Sequence, residues 1–184
     1  MFTIAAASLF MDFLPLLPSQ ILLNNILSDI PLMFISTDNV DEELLKSPRK
    51  WNLNLISNFM KTFGFLSVIA DLVLILPLLF IIKAPVGLFR TAWFVESVVT
   101  ELASTFSLRT KKTFYKSRPS SLLIAGSMLV AIFAFGITYT RLGFSLFEFE
   151  PIPLNILALI MELVVAYFIA VELVKRRFFR KFEL

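Results

Sequence analysis

The chain has 184 residues, of which 58% are hydrophobic and only 17% charged, with a net charge of +3 and neither histidine nor cysteine. This is too apolar for a soluble domain, where roughly 45–50% apolar and about 25% charged residues are usual. It also excludes thiolate or imidazole metal sites, disulfides, and Cys or His catalysis, leaving oxygen ligands and hence hard cations for any metal chemistry.

The first element is an apolar run over residues 2–14. It is too short to span a bilayer and lacks the positive leader of a signal peptide, so it reads as half a helix. Pro15 and Pro18 then break the chain, because proline removes an amide donor and clashes with the preceding turn. Five longer runs follow, at about 17–36, 57–82, 88–108, 120–140 and 153–174. Each is close to the roughly 20 residues that a spanning helix needs. The expected fold is therefore all-α: a polytopic transmembrane bundle of five full spans plus an N-terminal half helix, forming one membrane domain over 1–184.

Charge placement orients the bundle. Lys46, Arg49 and Lys50 lie in the loop 37–56. Arg109, Lys111, Lys112, Lys116 and Arg118 lie in the loop 109–119. Lys175, Arg176, Arg177, Arg180 and Lys181 lie in the tail 175–184. The intervening loops carry only Lys83 and Arg90, or only Arg141. The positive-inside rule puts the basic segments in the cytoplasm, so the expected protein is integral to the plasma (inner) membrane with a cytoplasmic C-terminus. Trp93 and Tyr139, near span ends, read as interface anchors. The lipid bilayer is the implied partner. Nucleic acid is not, since the basic residues sit between apolar runs instead of on one solvated face.

Polar side chains inside a span are costly and need partners or a watery cavity. The run 17–36 holds the densest set: Gln20, Asn24, Asn25, Ser28 and Asp29, then Pro31. Asn25, Ser28 and Asp29 stand at i, i+3 and i+4, on one helical face. An amide, a hydroxyl and a carboxylate there make the oxygen set that a hard cation wants. The same residues also fit interhelical hydrogen-bond glue, at about 0.6–2 kcal/mol per contact, and chemistry alone leaves both readings open. Asp71, Glu101 and Glu162 are further intramembrane carboxylates, of which Asp71 and Glu101 are added to the metal-site candidates. Glu101 pairs at i+4 with Ser97. Glu96, near Arg90, is expected to reach water, and Glu172 to pair with Arg176 at i+4.

The stretch Leu17-Pro18-Ser19-Gln20-Ile21-Leu22-Leu23-Asn24-Asn25-Ile26-Leu27-Ser28-Asp29 resembles the sixth membrane helix of P-type ATPases. Thr37-Asp38-Asn39-Val40-Asp41, followed by Lys46-Ser47-Pro48-Arg49-Lys50-Trp51, is similar to the next cytoplasmic loop of the magnesium-transporting branch. Trp93-Phe94-Val95-Glu96-Ser97, Arg109-Thr110-Lys111-Lys112 and Ser117-Arg118-Pro119 are similar to its eighth helix and the loop after it. The match covers nearly the whole chain in the right order. It implies that residues 2–14 are the outer half of the family's fifth helix and the five runs its sixth to tenth. It also implies that Asn25, Ser28 and Asp29 occupy cation-ligating positions, with Mg2+ as the transported ion. Glu101 is a poorer transfer, because the eighth-helix carboxylate is not shared by all branches. Asp12 stands where magnesium-type relatives prefer proline.

The family's phosphorylated Asp-Lys-Thr-Gly-Thr motif, its Thr-Gly-Glu loop and its Gly-Asp-Gly hinge are nowhere in this sequence. Phosphoryl transfer needs a nucleophile and a phosphate-cradling site, so no catalytic or ATP-binding residue is assigned and the chain alone is not expected to be an enzyme. The expected function is the C-terminal cation-translocation portion of a magnesium-type P-type ATPase, truncated or split. Its partner would be a separately encoded N-terminal part. The alternative is a non-catalytic membrane module that associates with a full-length pump or another membrane protein. A passive channel is a third reading.

Overall fold

The structure, a computed structural model, describes residues 2–39 and 52–181. Lys46, Arg49 and Lys50, with the rest of 40–51, lie outside the described residues, as do 182–184. Within the described residues every regular element is helical. These elements are α1 (Phe2–Ala7), α2 (Pro18–Phe34), α3 (Leu53–Leu76), α4 (Val86–Leu108), α5 (Ser121–Ile137), α6 (Arg141–Phe147) and α7 (Leu154–Lys181). Short 3-10 turns cover Ile35–Thr37 and Phe114–Lys116.

α2 begins with Pro18 in its first turn, where the missing N–H costs nothing. Gln20, fully buried, accepts from the Leu17 N–H at 3.0 Å and donates to the Phe147 carbonyl at 2.6 Å, which ties the start of α2 to the end of α6. α3 continues through a π turn, Pro77–Ile81. Pro77 cannot donate to the preceding turn, and the chain takes up an extra residue, with the Ile82 N–H reaching the Pro77 carbonyl at 2.9 Å.

The run expected over 120–140 is broken. α5 stops at Ile137, and α6, which the hydrophobic pattern did not predict, leaves it at 80°. Hydroxyl chemistry explains the break. Thr138 and Thr140 donate back to the Phe135 and Ile137 carbonyls, each at 2.8 Å, and Thr140 then caps α6 by accepting from the Gly143 N–H at 3.0 Å. Gly143 is required at this corner, because a Cβ there would stand 1.9 Å from the Ile137 carbonyl oxygen.

By length and apolarity, α3 with its π turn (Leu53–Ile81) and α7 (Leu154–Arg180) can cross a membrane, and the bent α5–α6 pair makes a third span if taken as one. The sequence predicts five. The difference lies in α2 and α4. α2 has 17 residues, and α4 carries Arg90, Glu96 and Glu101. α4 is the central helix, packed against α7, α2, α3 and α5. Phe89, Trp93, Phe94 and Val98 on it are all buried. α4 is enclosed by protein over most of its length, with Glu101 exposed, so it carries polar residues that lower its apolarity. Trp93 is thus a core residue and not an interface anchor, whereas Tyr139 is exposed and donates to the Ile152 carbonyl at 3.0 Å.

At one end of the bundle the connections are stapled. Arg109 pairs with Asp38 at 2.7 Å, both side chains nearly buried, and Arg109 also donates to the Ser117 carbonyl. Asp38 accepts the Ser120 N–H at 2.7 Å. Beside this, Lys175 of α7 is fully buried and donates to the Ser107 carbonyl (2.7 Å) and to Glu172 (2.5 Å). Lys175, and not the exposed Arg176, is therefore the partner of Glu172. The i+3 residue points inward with it, while i+4 faces out.

Candidate functional site: a polar cavity around α4

A cavity of about 340 Å3 opens between α2, α3, α4 and α7. It is polar where the surrounding bundle is apolar, and it has room for several waters. α4 contributes Ser97, Thr100, Glu101 and Ser104, which stand at i, i+3, i+4 and i+7 and so share one face. α3 contributes Ser67 and Asp71, one turn apart, and α2 contributes Asn24 and Asn25. Tyr167 of α7 closes the wall and hydrogen-bonds Ser104 at 2.8 Å.

The donors and acceptors are unevenly matched. Asp71 is well held: the Trp93 indole N–H donates to it at 3.1 Å, and the Thr3 hydroxyl of α1 donates to its other oxygen. Glu101 meets the Ser28 hydroxyl, which also lies 2.9 Å from the Asn24 carbonyl. Asn24 is 8% exposed, and its Oδ1 has no partner among the described residues. A buried amide oxygen without a donor costs roughly 1–3 kcal/mol, which a cation or a water in the cavity would offset. Among the described residues no three acidic side chains gather as a ready metal cage. The cavity offers mixed oxygens instead: carboxylates, amides and hydroxyls.

The predicted residues are distributed as follows. Ser28 and Glu101 touch, and Asn25, Asp71 and Glu101 all line the cavity. Asp29 does not line it. Asp29 is exposed, on the face of α2 that also bears Leu22, Ile26 and Met33. The buried stripe of α2 is Gln20, Asn24, Leu27, Ser28 and Pro31. The i, i+4 pair that faces inward is therefore Asn24 with Ser28. Glu96 does not reach water, since it is fully buried. Glu162 is exposed.

Asn24, Ser67, Thr100, Ser104 and Tyr167 are site residues that were not expected from the sequence. The hydroxyls carried a usable signal, the helical spacing of 67/71 and of 97/100/101/104. Tyr167 carried none, because only the packing of α7 on α4 brings it there.

Residues 13–177 match the family described as "Cation transporting ATPase, C-terminus". The chain is 30% identical to the magnesium-transporting ATPase, P-type 1, of Salmonella typhimurium strain 14028s, over 98% of this chain and 20% of that protein. It is 28% identical to the protein of the same name from Escherichia coli K12, over 98% of this chain and 21% of that one. The chain thus spans about a fifth of the length of the curated relatives it matches.

Proposed function

The chain belongs to the cation-transporting ATPase C-terminal family, and from that premise we propose that it forms the cation-translocation part of a magnesium-type P-type ATPase. The observation that carries this reading is the polar cavity, lined by the amides of Asn24 and Asn25 and the carboxylate of Glu101, with the Ser28 hydroxyl bonded to Glu101 beside it. Mg2+, as the transported substrate, suits such a site, because it sheds water reluctantly and is commonly held by one or two carboxylates plus retained waters.

In this reading α2, α3, α4, the bent α5–α6 pair and α7 are five spans, and the basic end of the bundle is cytoplasmic in the inner membrane. ATP hydrolysis belongs to domains joined to this chain or working alongside it, since the sequence has no phosphorylation motif. One feature of α2 also favours a protein neighbour. Leu22, Ile26 and Met33 are 61%, 52% and 73% exposed, with Asp29 among them. Lipid covers the apolar residues well but a carboxylate poorly. The neighbour is the remainder of the pump or, in the second reading, a full-length pump that this chain joins as a non-catalytic module.

The test is Mg2+ titration of the purified chain in lipid nanodiscs by calorimetry. Saturable binding that weakens at least about tenfold in Glu101→Gln supports the cavity as the cation site, tenfold being about 1.4 kcal/mol. A chain that binds no Mg2+, or a Glu101→Gln variant that binds like the parent, rejects it. Co-purification with a full-length pump, in a chain that binds no Mg2+ alone, supports the second reading.

A further inference from the structure

Glu96 is fully buried in the middle of α4, and neither of its carboxylate oxygens receives a hydrogen bond among the described residues. Two groups stand beside it. Thr100, one turn on, commits its hydroxyl proton to the backbone carbonyls of Glu96 (2.8 Å) and Ser97 (3.1 Å). Asp71 of α3 lies against the same turn of α4, held at 3.1 Å by the indole N–H of Trp93 three residues before Glu96, and its carboxyl group stands beside that of Glu96. Trp93 and Thr3 donate to Asp71, and the Tyr167 and Ser104 hydroxyls pair with each other. A buried carboxylate with no donor, set beside a second carboxylate, is costly unless a proton or a metal cation joins the two.

We propose that Glu96 and Asp71 form a second cation position in the same cavity, taking a hard divalent cation through carboxylate oxygens and retained water. The proposal rests on the reading of the cavity as a cation site. Asp71 lines the cavity, so this position is reached from it, with the Ser67 and Thr100 hydroxyls along the same wall. The position is separate from the one at Glu101. Five residues of helix put Glu96 about 7.5 Å along the axis and about 140° around it from Glu101. The partners differ as well: Ser28 for Glu101, Asp71 for Glu96. One octahedral ion with metal–oxygen distances near 2.1 Å does not bridge both.

The experiment uses Mn2+ as the probe, with the full chain in nanodiscs and free Mn2+ followed by electron paramagnetic resonance. The parent chain should bind two ions, displaced by excess Mg2+. Glu96→Gln, which keeps the shape of the side chain, should bind one, and so should Glu101→Gln. Asp71→Asn, which still accepts from Trp93, repeats the Glu96→Gln test should that variant elute as aggregate. If the parent binds one ion, lost in Glu101→Gln and untouched in Glu96→Gln, the second position is overturned while the first stands; that is the result expected if the pair holds only a proton. If the parent binds none, the cavity reading fails and the second position fails with it.

Discussion

Replacing Asp38 by alanine removes two interactions at once. Arg109 loses its ion pair at 2.7 Å, with only 2% of its side chain exposed, and the Ser120 N–H at the start of α5 loses its acceptor, also at 2.7 Å. Breaking a buried pair from one side costs about 3–5 kcal/mol, because a charge is left unpaired. Asp38 is 9% exposed in its side chain, so the lower end, about 3 kcal/mol, applies. The orphaned N–H adds about 1 kcal/mol. The expected loss is therefore about 4 kcal/mol, a large share of a typical folding free energy. Asp38→Asn keeps an acceptor for Ser120 and should lose about 3 kcal/mol. The double variant Asp38→Ala, Arg109→Met removes the stranded charge and should be no less stable than Asp38→Ala alone. The assay is reversible unfolding in mixed micelles, followed by far-ultraviolet circular dichroism. A loss under about 1 kcal/mol in Asp38→Ala, as for an exposed pair, or a double variant whose loss equals the sum of the two singles, would mean that Asp38 and Arg109 do not act as a buried pair.

Lys175→Met should cost about 3 kcal/mol by stranding the buried Glu172 carboxylate, most of it regained when Glu172→Leu is added. Arg176→Met, on the exposed side, should shift the same unfolding curve by less than about 0.5 kcal/mol. Gly143→Ala forces a Cβ against the Ile137 carbonyl and should destabilise the chain by about 1–3 kcal/mol in that assay. A Gly143→Ala variant as stable as the parent would mean that the α5–α6 corner is not built as described.

The sequence was most legible where the physics is local. Pro18 marked the start of α2, the apolar runs marked where helices lie, and the i+4 spacing paired Ser97 with Glu101 on one face of α4. Glu172 shows the limit of such spacing. Residues i+3 and i+4 are both neighbours on a helix, and only the contact with Ser107 selected Lys175 over Arg176. Hydropathy marked the run 120–140 as one span, while three backbone-seeking threonine bonds bent it into two helices.

Composition and periodicity by themselves determined that this is a helical membrane chain whose spans hold oxygen-bearing side chains. The tertiary structure decided which of those oxygens face each other. Periodicity gives the angle between residues of one helix but not the rotation of that helix against its neighbours. For α2 the rotation is set by packing: Phe34 lies where a Cβ at position 126 would stand, 2.5 Å from its ring, so Gly126 lets α2 seat closely on α5. That seating turns Asn24 and Ser28 toward Glu101 and leaves Asp29 on the outer face. For α4, enclosure by four other helices buried Glu96 against Asp71, a meeting of residues 25 positions apart that no local pattern announces.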